Sequence, residues 1–318
     1  MPLFARPRRA LAVSVFGTAL VLTGCGSSQS GSEGAGDGTH TLGFVNGADT
    51  EFHTCLQKSI EQVAKKDDAK LYTANSHQNP GTELSNIEDM ISRNVDALIV
   101  QTVNVDSLKG DIAKAKAAGI PIFLTSVMTS DTSDILGAVV VDLTKVGALD
   151  AGWVATDAGG KSVQVGVIAG APGAASDLLV GGFTKALPSN AKVVANQPGM
   201  FNAAKAQDVA ENMIQAHPDL QYAFVANEEM ALAARKAFDA AGAKDVKIVT
   251  ANGTPEGLAA IKDGRLSATV ANSAMTIGQM AVTNVVGLLD KKKVSKIDHA
   301  PILLVTKDNL DKAPQYCP

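Results

Sequence analysis

From Thr41 onward, short apolar runs alternate with longer stretches whose apolar positions recur every three or four residues. Strands are predicted over residues 41–45, 70–74, 97–101, 121–125 and 138–141. After a long helix the rhythm restarts, with strands over 163–169, 192–196, 222–226, 246–250 and 267–271. Helices fill the intervals, 203–216 and 228–241 being clear cases. The sequence Ala-Ala-Gly at 117–119 and again at 240–242 ends a helix with glycine at the C-cap position. This alternation predicts an α/β fold with parallel sheets covered by helices. Its two successive runs predict two lobes, with the break at Val141-Asp142. Ligands of open parallel sheets bind beyond the carboxyl ends of the strands. The loops there span residues 46–53, 102–106, 126–128, 170–177, 227–229 and 252–254. They are rich in amides, hydroxyls and glycines and poor in His, Cys and paired carboxylates. Such a set suits hydrogen bonding to a neutral polar ligand better than catalysis.

The pattern before Thr41 is different. Arg6, Arg8 and Arg9 precede an apolar core over 10–22 that is too short to span a bilayer comfortably. Its length suits a signal peptide. The core ends in Leu22-Thr23-Gly24-Cys25, which resembles the lipobox of bacterial lipoproteins. That likeness implies removal of residues 1–24 and a lipid anchor on Cys25; a plain signal peptide with a coincidental cysteine is the alternative. Residues 26–38 carry no apolar side chain larger than alanine, so 25–38 is expected to be a flexible tether.

Composition narrows the class. Hydrophobic residues make up 46% and charged residues 19%, the balance of a water-soluble globular chain, and the net charge of −4 gives no sign of nucleic-acid binding. Beyond Cys25 the cysteines are Cys55 and Cys317. In an oxidising compartment they form one disulfide, or else stay as a buried thiol and a loose tail. No nucleophile elbow, H-E-x-x-H or C-x-x-C is present, and the five histidines are scattered. Asp49, Glu51 and His53 alternate on what reads as a solvated loop. Gly170-Ala-Pro-Gly173 lacks the Lys-Ser/Thr of a phosphate loop. No enzyme, cofactor or metal is expected.

Four stretches are more specific: ANSHQNPGTELSNIEDMISRNVDALIV at 74–100, AKAAGIPI at 115–122, AHPDLQYAFVANEEMALAA at 216–234 and NGTPEGLAAIKDGRLSATVA at 252–271. Together they resemble the ribose-binding proteins of bacterial ABC importers, with similarity over residues 41–307. The resemblance implies the type I periplasmic binding protein fold, two Rossmann-like lobes joined by three hinge strands. The hinges fall near 141–142, 272–273 and 301–302. The N-terminal lobe is then 39–141 plus 273–301, and the C-terminal lobe 142–272 plus 302–318. It also implies a monomer that serves a membrane permease.

Binding positions carry over unevenly. Asn46 stands at a hydroxyl position of the family, Thr50 at an asparagine, and His53 at a second aromatic beside a retained Phe52. Phe201 and Asn227 match a stacking phenylalanine and a hydrogen-bonding asparagine. Asn272 replaces a glutamine. Ser126 and Val127 replace Asp-Arg, Asp177 takes the place of an arginine, and Asn252 that of an aspartate. Losing both arginines argues against ribose, since charge-assisted hydrogen bonds are about twice as strong as neutral ones. Two ligand classes remain: a neutral sugar, polyol or cyclitol, with Asp177 accepting from two hydroxyls, or a cationic solute paired with Asp177. Asp177 also reads as a helix-start residue, His53 as surface and Phe201 as core. A sugar-responsive regulator shares this fold, but its DNA-binding head would need the space of the leader and tether. A ligand-sensing lipoprotein presenting its closed form to a receptor is the other alternative.

Overall fold

The computed structural model describes residues 39–318; the leader, Cys25 and the tether expected over 26–38 lie outside the described residues. The first run builds β1 (Thr41–Asn46), α1 (Glu51–Lys66), β2 (Lys70–Asn75), α2 (Pro80–Ser92), β3 (Ala97–Gln101), α3 (Lys109–Ala117), β4 (Ile122–Ser126) and β5 (Gly137–Val140). The second builds α4 (Leu143–Ala158), β6 (Val163–Ala169), α5 (Ala174–Ala186), β7 (Ala191–Pro198), α6 (Ala203–Ala216), β8 (Tyr222–Val225), α7 (Glu228–Ala240), β9 (Lys247–Asn252), α8 (Pro255–Asp263) and β10 (Ala268–Asn272). Then follow α9 (Ala274–Leu289), β11 (Ile297–His299), β12 (Ile302–Thr306) and a 3-10 turn over Lys307–Lys312.

Every residue of β3, β4, β5 and β10 is buried, which is why these strands read as continuous apolar runs. Helix α1 instead alternates faces and buries Cys55, Leu56, Ser59, Ile60 and Ala64. The helix starts are chemically marked. The side chains of Asn79, Asn202, Asn227, Thr254 and Ser273 each accept a backbone N–H of the helix they open, and Pro80 and Pro255 sit in first turns.

Two six-stranded sheets result, in the orders β11-β5-β4-β3-β1-β2 and β12-β10-β9-β8-β6-β7. Helix α9 packs on α1 beside the first sheet, and α4 packs on α5 beside the second. The chain therefore passes between sheets after β5, after β10 and after β11. Among the described residues all strands pair in parallel except β12, which runs antiparallel to β10. The strand rhythm predicted neither β11 nor β12. The first is the three-residue run Ile-Asp-His, too short and polar to register, and β12 follows with no crossover helix.

Residues 313–318, counted with the second lobe by the sequence, are fastened to the elements of the first. Cys317 is disulfide-bonded to Cys55 of α1. The Met275 amide of α9 donates to the Tyr316 carbonyl at 2.9 Å, and Ser59 Oγ donates to the Met275 carbonyl at 2.7 Å.

Candidate ligand-binding site

The carboxyl ends of the two sheets face a shared cavity of about 320 Å³, within the usual size range of small-molecule sites. Nine of the sequence-predicted residues line it: Thr50, Phe52, His53, Ser126, Val127, Phe201, Asn227, Asn252 and Asn272. Asn46 and Asp177 do not.

Asn46 closes β1 and is buried. Its Nδ2 donates to the His53 carbonyl at 3.0 Å and to Gln57 Oε1 at 3.4 Å, so it ties the strand end to the first turns of α1. Its Oδ1 is buried without a partner. Asp177 lies in the first turn of α5, where Ala174, Ala175 and Leu179 line the cavity. Two residues along a helix is about 200° of rotation. When Leu179 turns inward, Asp177 turns outward, and it is exposed to solvent. The family arginine was carried onto Asp177; the inward position of this helix is Leu179. The close seating of α5 fixes this rotation. A Cβ at Gly147 of α4 would stand 2.1 Å from the Leu179 carbonyl oxygen.

The polar lining is built from carboxamides. Asn227 Oδ1 accepts from the Met230 amide at 2.9 Å, capping α7 and leaving its N–H₂ to the cavity. Asn252 and Asn272, at the ends of β9 and β10, make no side-chain hydrogen bond among the described residues. Gln101, at the end of β3, was not predicted. Its Oε1 accepts from Thr125 Oγ1 at 2.6 Å and Ser126 Oγ at 3.0 Å, and its N–H₂ remains for a ligand. A lone amide ending the otherwise apolar run Ala-Leu-Ile-Val-Gln was the signal available.

Aromatic side chains supply the rest. Phe52 and His53 meet edge to face, with ring centroids 5.5 Å apart. His53 Nδ1 lies 2.8 Å from Thr50 Oγ1. Burial holds the His53 pKa down to about 4, against a smaller opposing pull from Asp49, so the ring is neutral at neutral pH. Phe201 lies over Gly170, where a Cβ would stand 2.1 Å from its ring.

Strain is concentrated here. Among the described residues nine non-glycine residues have positive φ, and five of them (Gln78, Ser126, Met200, Phe201 and Asn252) line the cavity. Such backbone persists only where the surroundings hold it. Two buried carboxylates do part of the holding. Glu83 of α2 accepts from Thr102 Oγ1 at 2.8 Å and the Val103 amide at 2.6 Å, fixing the loop after β3. Glu228 of α7 accepts from the Gly253 and Thr254 amides at 2.9 and 2.6 Å, fixing the loop after β9. Burial pushes both carboxyls up to about 7 despite these bonds.

No Asp, Glu, Lys or Arg side chain is among the lining residues. The expected pairing of a cationic ligand with Asp177 therefore has no counterpart in the cavity. Carboxamides, hydroxyls and aromatic faces suit a neutral molecule that hydrogen-bonds at its edges and stacks on its faces.

The model for the periplasmic binding protein domain matches residues 43–293. The ribose import binding protein of Bacillus subtilis (strain 168) is 34% identical over 84% of this chain and 87% of its own length. The xylitol-binding protein of Mycolicibacterium smegmatis is 28% identical over 93% of this chain and 85% of its own. Among solved structures, the arabinose-transporter binding protein of Shewanella sp. ANA-3, bound to L-arabinofuranose, superposes with a TM-score of 0.80 at 27% identity. That match covers 85% of this chain and 93% of the other. These relatives are solute-binding proteins, not enzymes.

Proposed function

This chain belongs to the periplasmic binding protein family, among its sugar-binding members, and we propose that it captures a neutral sugar, polyol or cyclitol for import through an ABC permease. The family places it outside the cytoplasm. The observation that carries the ligand class is the uncharged cavity between the two sheets, walled by carboxamides and aromatic rings. The N–H₂ groups of Gln101, Asn227, Asn252 and Asn272 donate to the ligand's oxygens, and Asn252 Oδ1 and Asn272 Oδ1 accept its hydroxyl hydrogens. Phe52 and Phe201 pack on its faces.

Capture works by a shift between open and closed arrangements of the two lobes, bending where the chain passes between sheets near 141–142, 272–273 and 301–302. A ligand favours closure only to the extent that it binds the closed form better. Contacts from both sheets to one molecule supply that difference. The closed form docks on the permease, and the lipid on Cys25 holds the carrier close to it, raising its effective concentration.

A thermal-shift screen of the purified protein tests the ligand class. The panel holds pentoses, hexoses, alditols, inositols, amino sugars and small amines. A neutral polyhydroxylated compound is expected to raise the midpoint by mass action. A shift with amines alone refutes the reading. The anchor is tested by mass spectrometry of the mature N-terminus. Acylated Cys25 is expected, with Cys25→Ser released into the soluble fraction; an unmodified cysteine refutes it.

A further inference from the structure

The chain passes between the two sheets after β5, after β10 and after β11, and its tail passes between them once more. Strand β12 pairs with β10 of the second sheet. The 3-10 turn that follows it packs on α8 and ends at Lys312. The Ala313 amide still donates to the Leu310 carbonyl of that turn, at 3.3 Å. Two residues later the tail is held by the first lobe. The Gln315 carbonyl accepts from Ser273 Oγ, the Tyr316 carbonyl accepts from the Met275 amide, and Cys317 is bonded to Cys55 of α1. Residues 313–316 alone separate the last turn of the second lobe from a covalent bond to the first, and fully extended they reach at most about 14 Å. Pro314 stiffens this stretch, since its ring fixes φ.

The points of attachment matter as much as the length. Ser273 follows Asn272, which lines the cavity, and opens α9 by accepting the Thr276 amide at 3.0 Å. The tail is thus pinned to the crossing at 272–273, beside a cavity residue. The Tyr316 side chain is buried, and its hydroxyl has no partner. Burial, then the charges of Glu228, Glu51 and Glu229, hold its pKa well above the usual tyrosine range, so groups at the starts of both α7 and α1 act on it. A short chain fixed at both ends limits how far the bodies it joins can separate. Confining the open state leaves closure less freedom to lose. A ligand that needs the closed form then binds more tightly, because that form is more populated.

From the shortness of the tail and its anchorage at the 272–273 crossing, we infer that residues 313–317 are a strap that restricts opening of the two lobes, fastened by the Cys55–Cys317 bond. The inference rests on the reading of this chain as a two-lobed carrier that closes on its ligand, and adds a fourth connection to the three at which it bends. Disulfides persist outside the cytoplasm, where the family places the chain, so the strap is fastened where capture takes place.

Small-angle scattering and hydrogen exchange of the ligand-free full chain test it, well below the melting midpoint and on samples shown folded by circular dichroism. Three samples are compared with the native chain: the chemically reduced chain, the double variant Cys55→Ser with Cys317→Ser, and a chain with Gly-Ser-Gly-Ser inserted after Ala313. The insertion keeps the bond and slackens the strap. In all three the radius of gyration is expected to exceed the native value. In the first two the Met275 amide is also expected to exchange about tenfold faster or more, as the tail comes away. An unchanged radius in the reduced and double-serine chains overturns the inference, whether or not the tail comes away. A larger radius in those two but not in the insertion variant means that length does not restrict opening, and overturns the strap while leaving the bond a stabilising one. A gain that the same insertion after Pro318 also produces comes from added length alone and overturns it too. If the reduced and double-serine chains do not fold, the insertion variant decides. None of these outcomes needs a ligand, so the sugar reading stands or falls separately in the thermal-shift screen.

Discussion

Phe201 can reach the cavity only because residue 170 has no side chain. Gly170→Ala would set a methyl group where ring atoms now stand, so the ring must leave its place. Ligand affinity is expected to fall about tenfold or more, with a midpoint loss of only a few degrees; titration calorimetry and a thermal melt separate the two. Asp177 is the contrasting case. Exposed on the outer side of α5, it can be changed to Asn with less than about a threefold effect on affinity, and a larger change would place it in the site after all. Asp150 of α4 is fully buried with neither oxygen partnered, and burial, then the nearby Glu228, raises its pKa well above the usual carboxylate range. Glu83 and Glu228 are raised to about 7. A raised folded-state pKa gives stability that is full below the unfolded value and lost as pH climbs through the folded one. The melting midpoint is therefore expected to fall between pH 5 and pH 8, with Glu83 and Glu228 each contributing about 3 kcal/mol to the loss. Asp150→Asn should melt several degrees above the native chain at pH 8 and close to it at pH 4; a variant whose pH profile matches the native one refutes the assignment. At this scale the sequence was a partial guide. The resemblance to the ribose-binding proteins located nine of the lining side chains, seven of them in loops that the strand pattern alone also marks. Neither the resemblance nor the pattern carried a sign of helix rotation, which decides between Asp177 and Leu179, or of the positive φ values that aim Ser126, Phe201 and Asn252.

At the scale of elements, the alternation of short buried strands and amphipathic helices was legible because each element's period differs and its ends carry caps. What escaped were the pieces whose stability comes from elsewhere: β11, held by β5, and β12, held by β10. The tail after the 3-10 turn has no periodicity at all. Its place is set by Cys317, the Tyr316 carbonyl and the Gln315 carbonyl, which accepts from Ser273 Oγ. The two cysteines lie 262 residues apart in sequence, so pairing them removes a very large loop from the unfolded ensemble. The chain-entropy model gives such a closure about 5 kcal/mol. Replacing Cys55 and Cys317 together by Ser is expected to lower the midpoint by about 10 °C. An unchanged midpoint would mean that the contacts of Tyr316 and Gln315 hold the tail without the covalent bond.

Across the whole molecule, the two lobes touch directly as well as through the chain. The Glu51 amide of α1 donates to Glu229 Oε1 of α7 at 2.9 Å. The same contact crowds like charges, since burial, then Glu229, then Glu256 raise the Glu51 pKa. Glu229→Gln keeps an acceptor and removes a charge, so closure should become easier. Ligand affinity is expected to rise a few-fold at pH 8 and less at pH 5, and small-angle scattering should show a more compact ligand-free state; an affinity loss would mean that the charge itself holds the lobes. The disulfide has another consequence at this scale. Because it joins α1 to the penultimate residue, the whole second lobe lies inside one covalent ring. A protease that cuts the exposed segment around Ser130 and Asp131 opens that ring without dividing the molecule. The two pieces stay linked at Cys55 and Cys317 and part only when a reductant is added. A chain nicked once in this segment would thus run as a single band on a non-reducing gel, both its sheets still tethered around the cavity.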